Sequence, residues 1–130
     1  MIYGSEIARG LDVLELTPSG ELTQNEIDAA KLARVDVLNP QDQRRITWPA
    51  AFPVARAYAD QLDRWNGLPA ARLAQLHADL AAAEAATGRD RAMKLTALAR
   101  ALDQSAGSAA DAKRVRALSG VLKEMARAAR

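Results

Sequence analysis

The chain lacks cysteine and is poor in aromatic residues, and both shortages limit what it can be. Without cysteine it has no disulfide framework and offers no thiol nucleophile or thiolate metal ligand. Aromatic residues make up 4% of the sequence although hydrophobic residues make up 49%, so alanine and leucine supply most of the apolar content. This composition is typical of helices rather than of a sheet. We therefore expect an all-α fold.

Long apolar runs are missing as well. No stretch reaches the roughly 20 apolar residues that a helix needs to cross a bilayer, and Met1 is not followed by the basic and apolar segments of a signal peptide. We expect neither a membrane anchor nor a signal peptide, and hence a soluble protein. The compartment stays undetermined, since a periplasmic or secreted location would require a signal peptide that has been removed.

The two halves of the chain differ in the sign of their net charge. Residues 1–64 carry seven Lys or Arg against ten Asp or Glu, whereas residues 65–130 carry eleven against six. The net charges of the halves, 7 − 10 = −3 and 11 − 6 = +5, have opposite signs. The basic half could therefore meet either the acidic half or an acidic partner.

Turn and cap residues divide the chain into helical stretches. Clusters that pair a capping residue with glycine or proline occur at residues 17–20, 39–42, 65–69, 87–90 and 105–111. These signals predict six helices, at residues 5–14, 24–37, 48–64, 69–86, 90–105 and 109–129.

Leucines in the last three predicted helices step by three and four residues, which places each set on one face of its helix. The sets are Leu73, Leu76 and Leu80; Leu95, Leu98 and Leu102; and Val115, Leu118, Leu122 and Met125. Because the connections between these helices are short, we expect an antiparallel three-helix bundle over residues 67–130. Residues 1–66 form a second unit that shares its core.

Two twelve-residue segments of the first unit share an outline. The first, ELTPSGELTQNE, has Gly20 at its sixth position and Glu26 at its twelfth; the second, NPQDQRRITWPA, starts 24 residues later at Asn39. Calcium-binding EF-hand loops need a glycine at the sixth position and a bidentate glutamate at the twelfth. The first unit resembles the compact EF-hand pairs of bacterial calcium-binding proteins.

The resemblance implies a set of metal ligands and a contact between the loops. In loop 1 the ligand positions hold Glu15, Thr17, Ser19, Glu21, through its backbone, and Glu26. The eighth positions hold Leu22 and Ile46, which the resemblance pairs through a short β-bridge. The implied fold is a degenerate EF-hand-like helix-loop-helix pair packed on the antiparallel bundle.

The chemistry of both loops departs from that of calcium sites. Loop 2 has Ala50 where the bidentate glutamate belongs and places Arg44 and Arg45 where the cation would sit. Loop 1 has hydroxyl groups at positions that usually carry carboxylates or amides. We expect loop 2 to bind no calcium and loop 1 to be vestigial or to bind calcium weakly. Thr23 and Glu26 also fit an ordinary helix capping box.

Elimination favours a non-catalytic function. His77 is the sole histidine, and the sequence contains no nucleophile motif, P-loop or dinucleotide-binding glycine pattern. We predict that the protein is not an enzyme, needs no cofactor, and acts as a protein–protein interaction or adaptor module on a calcium-independent EF-hand-like scaffold. Its candidate contact residues are Trp48, Phe52 and Trp65.

Two alternatives remain open. In the first, loop 1 makes the chain a weak calcium-binding protein. In the second, the basic C-terminal helix, with Lys113, Arg114, Arg116, Lys123, Arg127 and Arg130, binds an anion or a nucleic acid. Nucleic acid is disfavoured because the sequence shows neither stacking aromatics nor a known reading motif. The identity of the partner and the oligomeric state stay undetermined.

Overall fold

A computed structural model describes residues 2–37, 39, 41–42 and 45–129. The described elements are one β-hairpin and five helices: β1 (Ile2–Glu6), β2 (Gly10–Leu14), α1 (Gln24–Lys31), α2 (Phe52–Arg64), α3 (Ala70–Ala85), α4 (Gly88–Ser105) and α5 (Ala112–Ala128). The protein is mostly helical, as predicted. In these ranges no helix is both long and apolar enough to cross a membrane.

The hairpin corrects the first predicted helix, which was placed at residues 5–14. β1 and β2 pair antiparallel, with Ile2 opposite Leu14 and Tyr3 opposite Val13. β-branched and aromatic residues favour strands, and Gly10 begins β2 with a φ of +94°, a conformation that side chains with a Cβ rarely adopt. The prediction was wrong because the turn at Gly10 outweighs the helical propensity of the glutamates and leucines around it.

Helices α1 and α2 are both shorter than predicted. The amides of Leu32 and Ala33 donate to carbonyls three residues back, so α1 tightens and ends at Lys31 rather than at residue 37. Helix α2 begins at Phe52 rather than at residue 48. Pro53 lies in its first turn, where the missing backbone N–H costs no hydrogen bond.

Helices α2 to α5 form a four-membered ring in which each helix packs against two other members of the ring. The predicted leucine stripes are confirmed, since every member is buried; the core residues run from Ala55 to Ala126. The core thus includes α2 in addition to the three helices predicted for the bundle. Short connections at residues 65–69, 86–87 and 106–111 make consecutive helices antiparallel.

Polar contacts also connect neighbouring helices of the bundle. The Arg56 guanidinium of α2 forms a two-point ion pair with Glu84 of α3. Buried Ser119 of α5 donates its hydroxyl to Asp103 of α4 at 2.6 Å, and Lys123 contacts the same carboxylate at 2.7 Å. The hydrogen bond from Lys123 makes the largest contribution and that from Ser119 the next, and both lower the pKa of Asp103. Each contact fixes one helix against the next.

The end of α2 is tightly packed. Asn66 follows the helix with a φ of +51°, and the amide of Gly67 donates to the Leu62 carbonyl at 2.7 Å. A Cβ on Gly67 would lie 2.6 Å from Leu62 Cδ2 and 3.2 Å from Asp111 Cβ. Any other residue at position 67 would require the side chain of Leu62 to shift at this approach between the end of α2 and the start of α5.

Candidate functional site

Loop 1 closes on its own backbone. Ser19 and Leu22 exchange hydrogen bonds, with N–O distances of 2.8 and 3.4 Å, and the Ser19 hydroxyl accepts from the amide of Glu21 at 3.2 Å. The Leu22 N–H thus bonds to Ser19 rather than to Ile46. Neither Leu22 nor Ile46 lies in a strand or bridge, and Ile46 is exposed, so the predicted β-bridge is not observed among the described residues.

The helix-loop-helix arrangement expected around the loops is also absent from the described residues. A hairpin rather than a helix precedes loop 1, and α1 follows it. Loop 2 lies partly outside the described residues, because positions 40, 43 and 44 are not described. The interpretation of Arg44 as a cation in the emptied loop therefore lies outside the described residues.

Glu26, the twelfth residue of loop 1, caps α1. Its backbone amide donates to the Thr23 hydroxyl at 3.2 Å, and its carboxylate accepts from the Thr23 amide at 2.8 Å. These reciprocal bonds are the capping box that the sequence contains. One of the two carboxylate oxygens that a calcium ion would need is thus bonded to the Thr23 amide, just before α1.

The same carboxylate is held by two side chains of α2. Gln61 donates to Glu26 Oε1 at 2.9 Å, and Arg64 donates to both carboxylate oxygens, the contact to Oε1 being 3.2 Å. The side chains of Glu26 and Arg64 are only 9% and 15% exposed. A buried two-point pair of this kind is among the stronger ionic contacts in proteins.

The surroundings of Glu26 change the pKa of its carboxyl group. Burial by itself raises the carboxyl pKa, but hydrogen bonds from Arg64, the Thr23 backbone and Gln61, together with the Arg64 charge, lower the pKa from 4.5 to about 2. The pKa of Arg64 is raised in turn, chiefly by its hydrogen bond to Glu26. Glu26 is therefore a carboxylate at any pH near neutrality.

A second carboxylate of α2 extends the contact. Asp60 accepts from the Thr23 hydroxyl at 2.6 Å and from Asn25 at 2.8 Å. Thr23, Asn25 and Glu26 at the start of α1 thus meet Asp60, Gln61 and Arg64 at the end of α2. We call these six residues the α1 latch.

The predicted metal ligands are Glu15, Thr17, Ser19, Glu21 and Glu26. The first four are exposed, whereas the carboxylate of Glu26 is committed to the latch. Within the described ranges, no group of three or more Asp, Glu or His side chains is placed to hold a metal ion. The arrangement of the five predicted ligands thus differs from that of a calcium loop, in which oxygen ligands converge on one point.

The three candidate contact residues lie in different surroundings. Phe52 is partly buried at the start of α2, where it packs on the core beneath Arg91. Trp65 follows the other end of α2 and is exposed, with Arg64 and Arg114 over its ring at 5.4 and 4.6 Å. Trp48 is also exposed and lines a groove of about 280 Å³ between α1 and α2. The three side chains therefore do not form one patch.

Exposed apolar side chains are concentrated near the amino terminus. All the large exposed hydrophobic residues of the described chain except Trp65 and Met93 lie between positions 2 and 48. We call them the amino-terminal apolar surface: Ile2, Tyr3, Ile7, Leu11, Val13, Leu14, Leu16, Val35, Val37, Ile46 and Trp48. The helix predicted at residues 5–14 concealed the exposure of Ile7, Leu11, Val13 and Leu14.

Side chains along each strand of the hairpin point alternately to its two faces, and one face is mainly apolar. The pairing register places Tyr3, Leu11 and Val13 on the same face. Ile2, on the opposite face, lines a shallow groove with α1 residues that include Ile27. The face of Tyr3, Leu11 and Val13 is therefore turned away from α1. The β-branched and aromatic residues around the Gly10 turn are the sequence signal that could have revealed it.

The basic C-terminal helix is partly neutralised within the fold. Arg114 bonds to Asp111 and to Gln61, and Lys123 pairs with Asp103. Lys113, Arg116 and Arg127 are exposed, whereas Arg130 lies outside the described residues. His77, the sole histidine, is exposed on α3.

No protein-family model, curated protein or solved structure matches the chain.

Proposed function

We propose that the chain is a non-catalytic interaction module that binds another protein through its amino-terminal apolar surface. The observation that carries this proposal is the uneven placement of exposed hydrophobic residues: the bundle buries its leucines, whereas the hairpin and the segment after α1 leave theirs in contact with solvent. Exposed apolar side chains that lie together, as Tyr3, Leu11 and Val13 do on one face of the hairpin, are typical of protein-binding surfaces. The bundle serves as the scaffold that presents it.

The hairpin adds a second element of recognition. Its sheet has two strands, so each strand has an edge at which a further strand can pair. Two-stranded hairpins are marginally stable in water, and a third strand or a packed partner stabilises them. We propose that the partner contributes an extended segment along one edge and apolar side chains over Tyr3, Leu11 and Val13.

Calcium is not required in this proposal. The latch provides the charge partner that an EF-hand-like loop would obtain from the ion, because Arg64 contacts both carboxylate oxygens of Glu26. The position of α1 is therefore set by protein contacts. Weak calcium binding through loop 1 and anion binding through the exposed cations of α5 are the alternative functions.

Site-specific photo-crosslinking tests the proposal. A photoreactive residue is placed at Val13, or at Met93 on α4 as a control, in cells that make the protein naturally. We expect adducts of defined mass from Val13 that are missing from Met93. Leu11→Asp should abolish these adducts, whereas Met93→Asp should not, although the two side chains are similarly exposed at 64% and 57%.

Three outcomes would contradict the proposal. The first is the absence of any adduct from Val13 in a protein whose circular dichroism is unchanged. The second is the same adducts from both positions, which would indicate non-specific contact. The third is an adduct with twice the mass of the chain, because self-association would then replace a separate partner.

A further inference from the structure

Helix α1 is attached to the rest of the molecule through a single described helix. Among the described helices, α1 packs against α2 alone. The apolar part of this contact is a cluster separate from the main core, in which Ala29 meets Val54 and Ala57 and against which Leu32, Tyr58 and Val121 are partly buried. With three buried side chains, this cluster removes much less apolar area from water than the main core does.

The α1 latch supplies the rest of the attachment. Three side chains at the start of α1 meet three at the end of α2 through four hydrogen-bonded contacts: Thr23 and Asn25 to Asp60, and Gln61 and Arg64 to Glu26. The polar contacts lie at one end of α1, and the apolar cluster lies further along it. Loss of the latch would leave only this separate apolar cluster.

The bundle does not depend on α1. Every buried residue of the main core lies between Ala55 and Ala126, so removing α1 leaves the ring of α2 to α5 complete. The hairpin packs against no helix in the described part of the chain. The connection from α1 to α2, residues 32–51, has no helix or strand where it is described, and it is long enough to let α1 leave while α2 stays folded.

We propose that α1 opens and closes on the bundle as one unit, and that the latch sets the closed state. Opening uncovers the strip of α2 that includes Val54 and Ala57 and enlarges the groove beside Trp48. Cooperative units of this kind open at a lower free energy than the whole molecule when they have few apolar contacts. The proposal does not depend on the proposed binding function.

Native-state hydrogen exchange of the full chain tests the opening directly. We expect the protected amides of α1 to show protection factors at least about tenfold lower than those of α4 and α5, with a weaker dependence on urea, because opening exposes only part of the surface. Equal protection and equal urea dependence in α1, α4 and α5 would overturn the proposal. This measurement needs no substitution.

Two arginines of α2 provide matched variants for the latch. Arg64→Met removes the ion pair to α1, and Arg56→Met removes a more exposed two-point pair to α3. We expect Arg64→Met to lower the protection of α1 amides by about tenfold or more, because it destabilises the closed state. Arg56→Met should leave the protection of α1 unchanged, because its ion pair lies within the bundle and stays intact when α1 opens. Unchanged protection of α1 in Arg64→Met, or an equal loss of α1 protection in Arg56→Met, would overturn the role of the latch.

The absence of cysteine allows a second measurement of the uncovered strip. Ala57 is buried beneath α1, whereas Ala99 is buried within the main core. In the folded protein, a thiol introduced by Ala57→Cys should react with a labelling reagent at least about tenfold faster than one introduced by Ala99→Cys. Equal rates would contradict opening on this face.

Discussion

Replacing Glu26 with glutamine separates the charge of the latch from its shape. Glutamine has nearly the same size as glutamate but carries no charge, and its amide group donates where the carboxylate accepts from Thr23 and Arg64. The substitution therefore leaves the guanidinium of Arg64 without its buried counter-charge. We expect the closed state of α1 to lose stability near neutral pH.

The size of the loss follows from the pKa of Glu26. A decrease of the Glu26 pKa from 4.5 to about 2 corresponds to about 3 kcal/mol in favour of the ionised, folded form, since a shift of one pKa unit is worth about 1.36 kcal/mol. Because the pKa in the folded state lies below its unfolded value, this stabilisation is present in full above about pH 4.5. It disappears as the pH falls towards 2.

Tryptophan fluorescence during urea unfolding is the suitable assay. Both tryptophans of the chain lie near this contact, Trp48 beside the groove under α1 and Trp65 under Arg64. We expect Glu26→Gln to be less stable than the wild type by about 2 to 3 kcal/mol near neutral pH. The difference should shrink to nearly zero at about pH 2. The other carboxylates titrate in both proteins, so their contributions largely cancel.

Two results would refute this reasoning. A difference that is constant from neutral pH to about pH 2 would mean that the substitution acts through packing rather than through charge. No difference near neutral pH would mean that the ion pair with Arg64 does not stabilise the folded chain.

The remaining predictions concern two glycines of the bundle. Gly67→Ala should lower the free energy of unfolding by about 1 to 3 kcal/mol, because the new Cβ would lie 2.6 Å from a core leucine; unchanged stability would show that this approach relaxes freely. Gly120→Ala should raise the free energy by about 0.5 to 1 kcal/mol, because the site lies within α5 and a Cβ would meet nothing within 4 Å. Thermal or urea unfolding followed by circular dichroism measures both, and a loss of stability in Gly120→Ala would contradict the second.

The bundle was predictable from sequence because its signals are local and repeated. Leucines at steps of three and four residues identify the buried face of each helix, and the predicted α4 at residues 90–105 differs from the observed Gly88–Ser105 by two residues at its start. Short connections then leave few ways to pack the helices. The inclusion of α2 in the ring was less evident, since alanines rather than leucines supply much of its buried face.

The amino-terminal part was predicted less well because its structure depends on single residues. A glycine at position 20 and a glutamate at position 26 fit both an EF-hand loop and a turn followed by a capped helix. The structure has the capping box of Thr23 and Glu26. The decisive partner of Glu26 is Arg64, 38 residues away, and no local pattern indicates which cation will meet a given carboxylate.

Calcium calorimetry on the wild type and on Glu26→Gln shows whether Glu26 is held by Arg64 or by a metal ion. We expect no heat of binding and no change in melting temperature with calcium for either protein, because both carboxylate oxygens already accept hydrogen bonds. Saturable binding of calcium to the wild type that is lost in Glu26→Gln would contradict this expectation.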